Sequence, residues 1–498
     1  MPGGSNRFAH IIILAVFRLF CYNSNELKGC ARMPRNGDFN EFRQRYPVFS
    51  YDGFTVERAD GRVRIRFDFS IPGLCEFHPE TTINTDKLAL LNRFDSADAR
   101  KILFALGLVE AVSYWKCVCS PRFIVRCGAL SDADKGWWKK LWYHGLGEFF
   151  YQNGIETSFE HFVKIECDFK PERKEREIKD EYRTSGLNII PVGGGKDSCV
   201  TLDLLKDIKD STLCFTVNDQ PARTQTAAVA GYSPEKILKT TRQIDKELLQ
   251  RNKEGFLNGH TPFSAIVAFL GLYCAHITGA GNMILSNESS ANEATVGGTE
   301  INHQYSKSYA FEQDLNDYMK RNFGGRTNYF SLLRPFNELQ IARRFAALKQ
   351  FHPVFRSCNI GSKNNIWCGR CAKCLFVYII LSPFMERREL LDIFGHDMLE
   401  KEEMLKDFEG LAGLSEVKPF ECVGTVEEVR CALFMVAQKY AASGTDIPFL
   451  LKKYSENSEA GCMKSPAQLL GEWNPENNVP EKFKKYITEM YDYVSATD

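Results

Sequence analysis

The run Asn188-Ile-Ile-Pro-Val-Gly-Gly-Gly-Lys-Asp-Ser-Cys-Val-Thr201 carries residue types that hold anions. A short apolar run at 189–192 is strand-like, three glycines follow, and from Ser198 the pattern turns helical. There Val200, Leu202, Leu204 and Leu205 are apolar while Asp203, Lys206 and Asp207 are polar. Three consecutive glycines cost conformational entropy, so a plain strand-to-helix corner accounts for them poorly. Glycines let backbone N–H groups close on an anion, and a helix N-terminus adds unsatisfied donors and a positive dipole end. Asp197 and Ser198 stand where N-cap residues are expected. The chemistry implied is phosphate binding by Gly193, Gly194, Gly195, Lys196, Asp197 and Ser198. The gap before the lysine is too short for the mononucleotide P-loop, and the run is not G-x-G-x-x-G.

A second chemical stretch spans residues 286–308 and is almost wholly polar. It offers carboxylates (Glu288, Glu293, Glu300), an imidazole (His303), a phenol (Tyr305) and an ammonium (Lys307). These are the groups of general acid–base catalysis, and a long connection without secondary structure inside a domain tends to be functional or disordered. Upstream, Asn258-Gly-His-Thr-Pro262 puts His260 just before a helix, either facing a ligand or capping that helix. A third stretch holds Cys358, Cys368, Cys371 and Cys374, spaced Cys-x9-Cys-x2-Cys-x2-Cys. Four thiolates suit tetrahedral zinc, the tight spacing lets one loop wrap the ion, and no open coordination position is evident, so the site reads as structural.

The elements that must position these groups alternate. Strands are expected at 189–192, 211–217 and 283–285, and helices from 198, at 234–249 and at 263–277. Alternation implies a parallel sheet with helices on both faces, whose ligands bind beyond the strand C-termini. Both the glycine loop and residues 286–308 then fall on that edge. Before them, 54–58 and 62–69 alternate with period two around Ala59-Asp60-Gly61 and predict an antiparallel hairpin. Helices are expected at 97–114, capped by Asp95 or Ser96, and at 132–152, with a strand within 159–169. The aromatic density of Trp137, Trp138, Trp142, Phe149 and Phe150 reads as core. The mixed-sign run 170–183 reads as a linker, dividing an α+β segment 33–187 from a nucleotide segment 188–345. Residues 346–498 follow as the zinc loop and a helical region, with helices at 375–381, 426–440, 448–454 and 480–494. In Lys418-Pro-Phe-Glu-Cys-Val-Gly424, spacing alone assigns no role to Glu421 or Cys422.

The 498-residue length implies two or three domains. Lys+Arg and Asp+Glu both number 63, and this zero balance argues against a nonspecific nucleic-acid binder. The 17 cysteines, an odd number scattered through a large chain, read as reduced thiols plus a metal site. The apolar run 11–17 is too short to span a bilayer and lacks a clean signal-cleavage pattern. Residues 1–32 read as a dispensable extension before Met33, and a cytoplasmic location without membrane insertion is expected.

Gly193-Gly-Gly-Lys-Asp-Ser198 resembles the Ser-Gly-Gly-x-Asp-Ser loop of the ATP pyrophosphatases (the PP-loop superfamily), with Gly193 where serine is usual. The departure removes one hydroxyl donor and keeps the backbone cradle. Over 33–498 the chain is similar to the ATP-dependent UDP-N-acetylmuramoyl-L-alanyl-L-glutamate epimerases of bacterial wall synthesis. The likeness rests on Pro191-Val-Gly-Gly-Gly-Lys-Asp-Ser198, Asn258-Gly-His260, Ser286-Asn-Glu288, Asn302-His-Gln-Tyr-Ser-Lys-Ser308, the cysteine cluster and Lys418–Gly424. It implies a Rossmann-like parallel sheet with a helical C-terminal extension. It also implies ATP, magnesium near Asp197, a UDP-MurNAc-dipeptide substrate and no nucleic-acid partner. The terminal L-glutamate would be activated as an acyl-adenylate, epimerised and hydrolysed, with His303, Tyr305, Lys307 and Glu288 as candidate acid–base groups. The alternatives are an amidating enzyme like the shorter 7-cyano-7-deazaguanine synthases, a tRNA-thiolating enzyme, and a nucleotide-binding regulatory protein.

Overall fold

The computed structural model describes residues 36–86, 91, 93–169, 186–296, 299, 301–458 and 460–496. The extension 1–32, the whole charged linker 170–183, and Glu300 lie outside the described residues. One sheet contains all eleven described strands. They are β1 (Val48–Ala59), β2 (Arg62–Ile71), β3 (Cys75–Phe77), β4 (Glu80–Asn84), β5 (Arg122–Val125), β6 (Lys164–Cys167), β7 (Asn188–Pro191), β8 (Thr212–Val217), β9 (Ile237–Gln243), β10 (Asn282–Leu285) and β11 (Asn328–Ser331). Their order is β11-β10-β7-β8-β9-β4-β2-β1-β5-β6, with β3 on β2.

From β11 to β9 every pairing is parallel. β9 meets β4 antiparallel, and β4, β2 and β1 continue as an antiparallel meander. The sheet therefore runs unbroken through the two segments expected to be separate, 33–187 and 188–345. A buried pair reinforces the junction: Arg242 of β9 donates to Glu110 of the helix Ala97–Trp115 at 2.7 and 2.8 Å, with side chains 8% and 2% exposed.

Side chains in the parallel half sort by the period of two. Ile189, Phe215 and Met283 join the core on the face of the helix Phe263–Thr278. Ile190, Cys214 and Ile284 face the opposite core, with the helices Lys196–Leu204, Glu338–Ala346 and Ala372–Leu381. Burial on both faces is what a parallel sheet covered by helices requires. The hairpin β1–β2 turns through Asp60 (φ +50°) and Gly61 (φ +66°), the paired positive φ of a two-residue turn that matches strand twist.

Several local expectations are corrected. Residues 234–249 are not one helix: β9 occupies Ile237–Gln243, and helix resumes only at Lys246–Lys253. The β-branched Ile237, Thr240 and Thr241 suit the slot between β8 and β4, and sheet pairing overrides the helix pattern. The expected helix 132–152 breaks at Leu146 into Asp132–Gly145 and Gly147–Gln152. The strand sought in 159–169 shortens to β6. The C-terminal helices are Val426–Ser443, Phe449–Ser455 and Lys484–Ser495. Among the described residues no helix is long and apolar enough to cross a membrane.

Candidate active site

Strand order reverses beside β7: the chain goes from β7 to β8 and β9 on one side, and then to β10 and β11 on the other. Such a switch point opens a crevice past the strand C-termini. The glycine loop leaves β7 there and residues 286–308 leave the adjacent β10, so these two stretches are neighbours because their strands pair.

The helix after the loop starts at Lys196, two residues earlier than expected. Gly195 is its N-cap, and no side chain caps it. Asp197 and Ser198 therefore sit within the first turn. Ser198 Oγ accepts the Gly193 N–H at 3.1 Å, and Gly194 O accepts the Arg356 N–H at 2.7 Å. Gly194 has φ +82°, and a Cβ there would lie 2.9 Å from the Ala222 carbonyl carbon. Both the conformation and the close approach require glycine. The buried hydroxyls of Ser286 and Ser357 have no hydrogen-bond partner, and Ser357 lies against Gly195. A polyanion seated on the loop would supply acceptors to uncapped N–H groups and to such orphan hydroxyls.

Lys196 does not project into solvent. Its buried ammonium pairs with Asp197 and with Glu338, the first residue of the helix Glu338–Ala346. Burial pulls its pKa down, but the two carboxylates more than offset this and keep it raised. Burial pushes the Glu338 carboxyl up to about 7, against the pull of Lys196.

Residues 286–308 form a tied structure rather than a loose connection. Buried Arg334 donates to Glu288 O and Lys307 O, both at 2.6 Å, and to Glu312 at 3.2 Å, clamping both ends of the stretch. Asn302 Nδ2 donates to Ala291 O at 2.8 Å, and the His303 N–H to Thr295 Oγ1 at 3.1 Å. Glu288 is 4% exposed; burial raises its pKa, opposed by Lys307. The Lys307 ammonium faces Cys422, Glu288 and Asp197, and these raise its pKa against the effect of burial.

His303 Nδ1 is hydrogen-bonded to Glu148 Oε2, and His260 Nδ1 approaches the same oxygen at 3.2 Å. Burial pulls the His303 imidazolium down, yet Cys422 and Glu148 raise it to about 9. Burial, then the charge of His303, pushes His260 down to about 3, so one of the two rings is charged and the other neutral. The helix after His260 has Pro262 as N-cap, with no side-chain cap bond, so His260 faces the cluster instead of capping. Tyr305 is directed elsewhere: its ring stacks on His144 at 5.0 Å, and it lies beside Asp314.

Cys358, Cys368, Cys371 and Cys374 converge, with Sγ···Sγ separations of 3.9, 3.7 and 3.4 Å for the pairs 358–371, 368–374 and 371–374. Tetrahedral zinc with bonds near 2.3 Å would set thiolates ~3.8 Å apart. The Gly361 N–H donates to Cys358 Sγ at 3.0 Å, as suits a thiolate. The four sulfurs could hold a metal ion.

The turn 418–424 lies across both regions. Lys418 pairs with Glu293 and donates to Gly424 O at 2.8 Å, and Gln304 Nε2 donates to Val423 O at 3.1 Å. From the cysteine loop, Lys373 Nζ donates to Cys422 O and Asn359 Nδ2 to Glu421. Sequence reasoning missed Glu148, Arg334, Glu338 and Cys422 as site residues. Glu148 did leave a signal, being the one carboxylate in the aromatic-rich residues 136–155.

Fold and site together describe an α/β protein with a glycine loop at a switch point, a buried cluster of ionisable side chains beside it and four converging cysteines that could hold a metal. The chain matches the MurL N-terminal domain over residues 40–332 and the MurL C-terminal domain over residues 354–464. It is 33% identical over 409 residues to a UDP-N-acetyl-alpha-D-muramoyl-L-alanyl-L-glutamate epimerase of Micromonospora sp., covering 80% of this chain and 89% of that protein. Proteins of the same name from Xanthomonas oryzae pv. oryzae (33% identity; 68% of this chain and 75% of that one) and Salinispora tropica (32%; 80% and 87%) match similarly. The chain belongs to the MurL family of UDP-N-acetyl-alpha-D-muramoyl-L-alanyl-L-glutamate epimerases.

Proposed function

We propose that this protein inverts the terminal L-glutamate of UDP-MurNAc-L-Ala-L-Glu to D-glutamate for peptidoglycan synthesis, cleaving ATP to AMP and pyrophosphate. The observation that carries the reading is the juxtaposition of the glycine loop that follows β7 with Glu288 and Lys307 of the stretch that follows β10, in a chain of this family. An α-proton beside a carboxylate is hard to remove, because the resulting enolate carries two negative charges. Joining the carboxylate to AMP as an acyl-adenylate cancels one charge and acidifies Cα. Hydrolysis after inversion then frees the D-product and AMP.

In this reading the sheet is of the PP-loop type. The N–H groups of 193–198 and the hydroxyls of Ser198, Ser286 and Ser357 hold phosphate oxygens. The carboxylates of Asp197 and Glu338 form an oxygen donor set that suits magnesium, which would neutralise phosphate charge when bound. Lys196 keeps Asp197 ionised and orients Glu338, whose carboxyl burial lifts to about 7. His303, Lys307 and Glu288 handle the α-proton, and Tyr305 is left to packing. The cysteine loop holds structural zinc. ATP and a UDP-linked substrate place the reaction in the cytoplasm. In the same reading 33–187 and 188–345 are two domains that share one sheet, and 346–498 packs on the loop through Arg356 and Ser357.

The test is direct. Protein incubated with ATP, magnesium and UDP-MurNAc-L-Ala-L-Glu should release pyrophosphate only when all three are present, and the recovered glutamate should be D. Release that does not depend on the dipeptide, or glutamate that stays L, would sink the proposal.

A further inference from the structure

Inversion at Cα needs a proton-transfer group on each face, or one mobile group. The groups assigned above all lie on or beside the 286–308 stretch, and one further group approaches it from a different element. We propose that the thiol of Cys422 exchanges the α-proton on one face of the activated glutamyl residue, with His303 holding its countercharge and Glu148 positioning His303. The inference rests on the epimerase reading.

The turn carrying Cys422 is fixed from three directions: by Gln304 on Val423, by Lys418 with Glu293, and by Lys373 on the Cys422 carbonyl. Its sulfur is half-buried and unpaired in any disulfide. The groups facing it are Lys307, His303 and Lys373, with Glu421 adjacent; those facing His303 are Glu148, His260, Cys422 and Glu421. Burial pushes the Cys422 thiol up, but Lys307 and then His303 outweigh it and hold it at about 5. The buried Cys199, Cys214 and Cys274, in contrast, are raised by burial. Thiolate, imidazolium and carboxylate in sequence form the nucleophile–base–orienter arrangement found at reactive cysteines. Here the thiolate acts as a base. It takes the α-hydrogen as a proton, so that Cα–H breaks, S–H forms and the electron pair passes into the enolate of the activated carbonyl. Glu288, an acid already assigned and kept protonated more readily by burial, supplies the proton to the opposite face, while Lys307 stays beside the thiolate. Cys422 leaves as a neutral thiol and regains its charge by passing a proton to water. In the reverse direction each group takes the other part.

The experiment uses full-length Cys422→Ala and Cys422→Ser with three readouts: substrate-dependent ATP–pyrophosphate exchange, incorporation of deuterium at Cα in deuterated water, and alkylation by iodoacetamide at pH 6 mapped by peptide mass. The expected result is pyrophosphate exchange within about threefold of wild type and deuterium incorporation lower by roughly 10²–10⁴-fold. Wild-type Cys422 should be alkylated at pH 6 and protected by the dipeptide substrate. Glu148→Gln should retain part of the exchange and move its pH profile, as befits a positioning residue. Deuterium incorporation at the wild-type rate in Cys422→Ala overturns the proposal, as does a folded variant that loses pyrophosphate exchange, or a wild-type Cys422 inert at pH 6. Wild type that releases no pyrophosphate with the dipeptide overturns the epimerase reading itself, and this inference with it.

Discussion

Glu148 Oε2 is hydrogen-bonded to His303 Nδ1 and lies 3.2 Å from His260 Nδ1, so one carboxylate oxygen from an aromatic-rich helix joins two imidazoles that lie 155 and 112 residues further along the chain. The ring centroids stand 4.6 Å apart, and the shared oxygen lets only one ring keep a full charge. This relation links the N-terminal segment to the chemistry of 286–308.

A pH dependence of stability follows from it. Despite burial, Cys422 and Glu148 lift the His303 pKa from 6.5 to about 9. A group raised on folding contributes stability that is complete below its unfolded value and lost as pH rises through its folded value. The contribution of His303 should be intact below pH 6.5 and gone above about 9. Cys422, pushed up by burial but held at about 5 by Lys307 and then His303, contributes in the opposite sense over the same window, so the two cancel in wild type. The fall in melting temperature from pH 6 to 10 should therefore appear in Cys422→Ser, where Glu148 alone lifts His303, and be smaller in Cys422→Ser/Glu148→Gln.

Lys196 pairs in the interior with Glu338, their side chains each 3% exposed, and also with the part-exposed Asp197. Breaking a buried pair from one side strands the other charge, at a cost of about 3–5 kcal/mol. Lys196→Ala should lower the unfolding free energy obtained from urea titration by that amount and abolish pyrophosphate release. The double variant Lys196→Met/Glu338→Gln should recover much of the stability without the activity.

Gly194→Ala puts a side chain at φ +82° and 2.9 Å from the Ala222 backbone. The left-handed conformation alone costs about 1–2 kcal/mol, and the clash displaces the loop. A raised KM for ATP with unchanged circular dichroism is expected; an unaltered KM would show that the loop does not hold the nucleotide.

The cysteine loop should carry about one zinc per chain by elemental analysis. Cys374→Ser or strong chelation should remove the metal and lower the melting temperature, because the helix Ala372–Leu381, buried along its whole length, starts inside the loop. Metal-free protein with wild-type stability would count against a structural ion.

Local pattern was enough for the parts whose physics is local. Three glycines between an apolar run and a helix announce the loop at 193–195, and Cys-x2-Cys-x2-Cys announces a convergence of thiols that could hold a metal. Period-two alternation around Asp60-Gly61 announces the hairpin. The boundaries of β9 were not legible, because Ile237–Gln243 is extended only through its partners β8 and β4, which lie elsewhere in the chain. Nor did residue type reveal that Tyr305 packs on His144 while Lys307, two positions on, faces Cys422. The partners of the cluster, Glu148, Arg334, Glu338 and Cys422, owe their roles to burial and to charges supplied by distant segments. A carboxylate or thiol carries no such information in its own neighbourhood. Sequence alone therefore determined which groups were available and the family to which they belong. The reversal of strand order at β7 and β10 decided which of them meet, because only there do two chain segments leave adjacent strands into one crevice.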